Sequence, residues 1–176
     1  SGACDKLIIA TPDQEINEWS QSQGIPSVIT SHSHQRATER AKEALDILAE
    51  QGCNYDLILL LQGDEPQIFP DDINNLKDSF TGKDLEVVNL IFHITDDDLE
   101  DPNVVKAVTD NTLNIKFFSR SHIPFNSTKT FRQLGMIGFT NKALKHYTNL
   151  SPTELEELES IDMMRLLEND FCIRGV

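Results

Sequence analysis

Leu57-Ile58-Leu59-Leu60-Leu61, followed at once by Gln62-Gly63-Asp64-Glu65-Pro66, decides the reading of this chain. Five consecutive aliphatic residues are too few for a buried helix and lack the polar alternation of a half-exposed strand. They read as a central strand covered by helices on both sides. The acidic, glycine-bearing turn that leaves it marks the carboxyl end of that strand, where open α/β sheets bind their ligands.

Working outward, the same alternation of strand and helix recurs. Lys6–Ala10 reads as a short strand and Gln14–Gln23 as a helix stopped by Gly24. Val28–Thr30 is a second strand. Ala37, Ala41, Ala44, Leu45 and Leu48 then fall on one helical face, with Gly52 placed for the stop. Beyond the central strand come Val87–Ile94 and a hairpin, Val104–Thr109 with Leu113–Phe118, around Asp110-Asn111. Ser151-Pro152-Thr153-Glu154 opens a helix to about Glu168, and Phe171–Val176 is extended. This order predicts a layered α/β domain with a mainly parallel central sheet plus a hairpin region.

With 176 residues, the chain is long enough for one domain with a sizeable core. Twenty-nine acidic against fifteen basic residues give a net charge of −14, which disfavours a nucleic-acid partner, since phosphate contacts need clustered Lys and Arg. No apolar run reaches membrane-spanning length and no secretory segment is recognisable, so a cytoplasmic location is expected. Cys4, Cys53 and Cys172 form no metal-binding spacing and read as reduced thiols buried as small hydrophobes.

Three segments carry candidate chemistry. Asp64 and Glu65, beside a glycine that permits close approach, suit a hard cation such as Mg²⁺ next to a phosphate, or form a plain polar turn. Arg36 and Arg40 share a face at a helix start, where they can meet a phosphate or carboxylate, or pair with Glu39 and Glu43. Arg120 ends an apolar strand and can clamp a carboxylate or lie along the surface. His32 and His34, and the run Asp96-Asp97-Asp98, read as loop residues rather than metal ligands. Met163 and Met164 read as core. No GxGxxG or GxxxxGK loop is present, and no Ser-His-Asp or Cys-His arrangement can be placed.

The order of these segments resembles the 3-deoxy-manno-octulosonate cytidylyltransferases, the CMP-Kdo synthetases. His34-Gln35 with Thr38-Glu39-Arg40 resembles the family's HQSGTER, and Gln62–Pro66 reproduces QGDEP. Asp101-Pro102-Asn103-Val104-Val105-Lys106 resembles NPNAVK. Phe118-Ser119-Arg120 with Ile123-Pro124 matches FSR..IP, and Leu134-Gly135 sits where the family has HLGIYGY.

The resemblance extends over essentially the whole chain. It implies a nucleotide-diphospho-sugar-transferase-like fold and a Mg²⁺-dependent reaction in which the anomeric hydroxyl of Kdo attacks the α-phosphate of CTP. The products are CMP-Kdo and pyrophosphate, for lipopolysaccharide or capsule synthesis. By resemblance Asp64 is catalytic and holds the metal, while Gln62 and Gly63, with Arg36, line the nucleotide pocket. Arg120, Gln133 and Asp162 face the sugar acid. A homodimer is implied as well.

The chain also departs from the family pattern. Arg36-Ala37 replaces Ser-Gly, Gln133 and Ile137 replace the sugar-contacting His and Tyr, and Asp162-Met163 stands for a Glu-Gln pair. These changes leave open another 2-keto-3-deoxy sugar acid, of acylneuraminate type, or a non-catalytic nucleotide-binding homologue. Residues 1–176 read as a single cytidylyltransferase domain without the family's N-terminal triphosphate-binding strand-loop-helix and C-terminal metal-binding segment. The stretch from Pro124 to Leu134 is shorter than usual. On this reading these 176 residues by themselves are inactive.

Overall fold

The computed structural model describes residues 4–127 and 130–176, and of Asp96 its backbone. Ser1–Ala3, read as leading into the first strand, and Thr128 and Lys129 of the Pro124–Leu134 stretch lie outside the described residues. The chain divides into two compact units, residues 1–56 and 57–176.

In the first unit, β1 (Ile9–Thr11) and β2 (Ser27–Ile29) pair in parallel. Between them runs α1 (Gln14–Ser22), and α2 (Ala37–Glu50) follows. Asp13 caps α1 by accepting the Glu15 and Ile16 N–H groups. Gly24 and Gly52, at φ +69° and +83°, turn the chain out of the two helices, as their positions in the sequence imply. Ala44, Leu45 and Leu48 are buried on one face of α2.

The second unit is built on a six-stranded sheet in the order β3 (Leu57–Leu61), β7 (Phe131–Thr140), β4 (Val87–His93), β8 (Ile173–Gly175), β6 (Asn114–Ser119) and β5 (Lys106–Thr109). Helices α3 (Pro70–Asp78), α4 (Asp96–Leu99), α5 (Asn141–Asn149), α6 (Glu154–Glu159) and α7 (Met163–Leu167) complete it. The layered α/β architecture is the expected one, but the pairing is mostly antiparallel. Strands β3, β4, β8 and β5 run one way, while β7 and β6 run the other and lie between them. Strand β7 escapes a periodicity reading because Gly135 and Gly138 interrupt its pattern.

Leu57–Leu61 is a strand with the expected bounds, but it pairs in this sheet with β7 alone and Leu61 is exposed. An apolar run reports faces, not position across a sheet. The hairpin turns at Asp110, whose carboxylate accepts the Thr112 and Asn114 N–H groups, the latter at 2.9 Å. The helix expected from Ser151 to Glu168 is two helices, broken where Ser160 takes φ +56°. Its cap is Thr153, paired with Glu156, rather than Ser151. The Asp96–Asp98 run, read as a loop, is helical because Thr95 bonds the Asp98 carboxylate at 2.7 Å. Cys4 and Cys172 are exposed and Cys53 is half-buried, all three as free thiols, so none is the buried hydrophobe expected.

Candidate active site

The turn after β3 is fastened to β7 through one residue. The Gln62 N–H donates to the Gly135 carbonyl at 2.8 Å, and the Gly135 N–H donates to Glu65 Oε1 at 2.7 Å. A Cβ on Gly135 would sit 2.8 Å from Gln62 Oε1 and 3.0 Å from Gln62 Cβ, so the missing side chain is what lets Gln62 lie there. Glu65 is therefore committed to the backbone. Of the two carboxylates read as candidate metal ligands, it leaves Asp64, which is exposed and forms no hydrogen bond or ion pair among the described residues. A Cβ on Gly63 would meet nothing within 4 Å, so the backbone there faces open space.

No cluster of three ligating side chains occurs among the described residues. Mg²⁺ does not need one: it keeps waters and is often held by one or two carboxylates with substrate phosphates. Asp64 fits that role.

Gln133 is half-buried on β7 and donates Nε2–H to Oδ1 of the fully buried Asn89, at 2.6 Å. Asn89 was not singled out in the sequence, where it interrupts an apolar strand and offers only that as a signal. Lys106, also overlooked, is fully buried and gives Nζ–H to the carbonyls of Asp101 (2.6 Å) and Arg120 (3.0 Å). Burial pushes its ammonium pKa below the usual lysine value.

Arg120 itself is tied to main chain: Nε to the Glu159 carbonyl at 2.9 Å, one terminal nitrogen to Pro102 at 3.0 Å, the other to Ser160 at 3.4 Å. Its own N–H is held by the Glu159 carboxylate at 3.0 Å. The guanidinium is thus fixed in place by backbone, with donors to spare. Asp162 is buried at the start of α7, its carbonyl accepting the Arg165 N–H. Ile137 and Met163, at positions where the family carries polar sugar contacts, are fully buried and unavailable to any ligand, and Met164 joins them in the core.

Arg36 belongs to the first unit, at the start of α2; Gln62, Gly63, Asp64, Arg120, Gln133 and Asp162 belong to the second. In the first unit Arg40 donates to Thr30 Oγ1 (2.7 Å) and to the Ser31 carbonyl (3.1 Å). The Ser31 N–H on Glu43, with His34 beside it, holds that carboxyl below its ordinary pKa. His34 Nε2 is thereby committed to the Glu43 carboxylate.

A layered sheet with a glycine-bearing acidic turn at a strand's carboxyl end is the arrangement of a nucleotidyltransferase. The cytidylyltransferase family profile matches residues 1–173. A 3-deoxy-manno-octulosonate cytidylyltransferase of Chlorobium phaeobacteroides is 36% identical, over 100% of this chain and 73% of its own. One of Fusobacterium nucleatum is 34% identical, over 97% and 70%. A solved structure of CMP:2-keto-3-deoxy-manno-octonic acid synthetase complexed with CTP superposes with a TM-score of 0.86 at 26% identity, covering 97% of this chain and 71% of that one. The chain belongs to the cytidylyltransferase family, among the 3-deoxy-manno-octulosonate cytidylyltransferases.

Proposed function

We propose that this protein transfers the cytidylyl group of CTP to 3-deoxy-manno-octulosonate, releasing pyrophosphate. The observation that carries the reading is the turn after β3. Gly63 opens to empty space, Asp64 stands exposed without a partner among the described residues, and Glu65 and Gln62 are locked onto Gly135. Such a turn is held still by protein bonds while presenting one carboxylate outward, which suits catalysis by positioning and charge neutralisation.

Asp64 would hold Mg²⁺, whose charge would offset that developing on the phosphates. Gln62 and the Gly63 backbone would line the nucleotide. Arg120, Gln133 and Asp162 would face the sugar acid, and a fixed guanidinium is the natural partner of its carboxylate. The product would serve bacterial surface polysaccharide. We also propose a cytoplasmic homodimer, as the family resemblance implies.

The test is pyrophosphate release from CTP by the full-length polypeptide with Mg²⁺, across a panel of sugar acids. Turnover with Kdo and not with acylneuraminates is expected. Turnover reserved for an acylneuraminate would change the substrate, and CTP binding without turnover on any sugar acid would make the protein a nucleotide-binding homologue.

A further inference from the structure

Strands β4 and β7 lose register in the middle of their pairing. Asn89 lies opposite Ile137 and Ile91 opposite Gln133, so Leu90 alone on β4 faces three residues, Leu134, Gly135 and Met136, on β7. Such a bulge takes backbone carbonyls out of the ladder. The Asn89 side chain fills the gap. It is fully buried, and its Nδ2 lies 2.9 Å from the Leu134 carbonyl, 3.0 Å from that of Leu90 and 3.3 Å from that of Met136.

Carbonyl oxygens can only accept, so the amide nitrogen of Asn89 must face them; turned over, it would set an oxygen against three oxygens. The other end of that amide is therefore the oxygen, and the group that meets it at 2.6 Å must donate. That donor is Nε2 of Gln133. The orientation of the Gln133 amide follows by elimination, one buried side chain fixing another. Its carbonyl, Oε1, is turned away from Asn89 and has no partner among the described residues.

We propose that Asn89 is a positioning residue that locks Gln133 with Oε1 turned away from it, so that this position offers an acceptor oxygen, beside the second Nε2–H, to a hydroxyl on the sugar acid. The inference rests on the reading that Gln133 faces the sugar. The orientation comes from the sheet itself: three main-chain carbonyls in a bulge dictate it through two amides.

The experiment measures KM for Kdo and for CTP, and kcat, in the full-length polypeptide and in Gln133→Met, Asn89→Ala and the double variant. Removing one hydrogen bond to the sugar is expected to raise its KM about tenfold in Gln133→Met, with KM for CTP unchanged. Asn89→Ala should raise the sugar KM comparably, and the double variant no further, because both changes remove the same contact. A loss that is instead additive would mean that Asn89 merely supports the strand, and would overturn the proposal.

Should Asn89→Ala not fold, a panel of Kdo analogues with each hydroxyl except the anomeric nucleophile replaced in turn by fluorine needs no change at that position. One analogue is expected to lose about tenfold in the unmodified protein and nothing more in Gln133→Met. No analogue behaving so would overturn the proposal. Turnover of Kdo with a sugar KM untouched by Gln133→Met sinks the inference and leaves the function standing, whereas no turnover of Kdo in the unmodified protein sinks the function.

Discussion

Gly135 accepts the Gln62 N–H and donates its own N–H to Glu65, so the turn carrying Asp64 is stitched to β7 on both sides of that aspartate by a residue seventy positions away from Glu65. The stitch works because residue 135 lacks a side chain. Gly135→Ala would place Cβ 2.8 Å from Gln62 Oε1 and 3.0 Å from Gln62 Cβ, and the Gln62 side chain would have to shift. Crowding of this kind costs about 1–3 kcal/mol. We expect a higher KM for CTP, by about tenfold if one nucleotide contact is lost, and a modest fall in melting temperature. Unchanged nucleotide kinetics would separate Gln62 from the nucleotide.

Asp64→Asn tests the opposite case, a residue that the fold does not use. Its carboxylate is exposed and makes no bond among the described residues, so stability should shift by less than about 0.5 kcal/mol. Turnover should fall on the order of a hundredfold or more, since a metal's contribution to phosphate chemistry is several kcal/mol. Isothermal titration with Mg²⁺ and CTP, beside a denaturation curve, distinguishes the two effects. Near-normal turnover would remove Asp64 from the mechanism.

The contrast between Asp64 and Glu65 shows how far the sequence could be read. Adjacent carboxylates after an apolar strand mark the candidate site, and the bounds of β3 and the Asp110 turn follow from local chemistry. What distinguishes Asp64 from Glu65 is a hydrogen bond to Gly135, and no local pattern contains it. Asn89 was illegible for the same reason: its three carbonyl partners exist only once β7 bulges against β4. Arg120 read as a carboxylate clamp or a surface arginine, and its anchoring by main chain from Pro102, Glu159 and Ser160 lies in no local pattern. The antiparallel placement of β7 between β3 and β4 likewise depends on long-range pairing, which strand and helix order does not specify.

His122 follows the Arg120 strand and should make its loop pH-sensitive. Nδ1 lies 2.7 Å from Glu100 Oε1 and Nε2 lies 3.0 Å from the Ser127 carbonyl. Both partners are acceptors, so only the doubly protonated ring satisfies both. The Ser127 carbonyl, with Glu100 second, raises the His122 pKa above the ordinary histidine value. A raised folded-state pKa contributes stability that is fully present below about 6.5 and is lost as pH climbs through the raised value. Protection of the Ser127 amide, taken relative to its intrinsic exchange rate at each pH, should fall across that window, and His122→Ala should remove the fall. A ring titrating below the ordinary value by NMR would contradict the geometry.

Glu156 and Arg165 form the buried clasp behind this region. The pair is bidentate, Nε to Oε2 at 2.6 Å and a terminal nitrogen to Oε1 at 2.7 Å. Their side chains are 1% and 3% exposed, and the guanidinium carbon lies 4.4 Å from the centre of the Tyr147 ring. Glu156→Gln takes the bidentate carboxylate from a buried cation and should cost about 3–5 kcal/mol in a denaturant melt. Replacing both partners, Glu156→Leu with Arg165→Met, should recover most of that loss, since an apolar pair avoids the desolvation that the ions incur. The same clasp holds α6 against α7, and the break between them supplies the Glu159 and Ser160 carbonyls that grip Arg120. Glu156→Gln should therefore raise the sugar KM as well as lower stability, while the apolar double variant restores stability first. If Glu156→Gln melts within about 1 kcal/mol of the unmodified protein, water reaches this pair in solution and the clasp does not anchor Arg120.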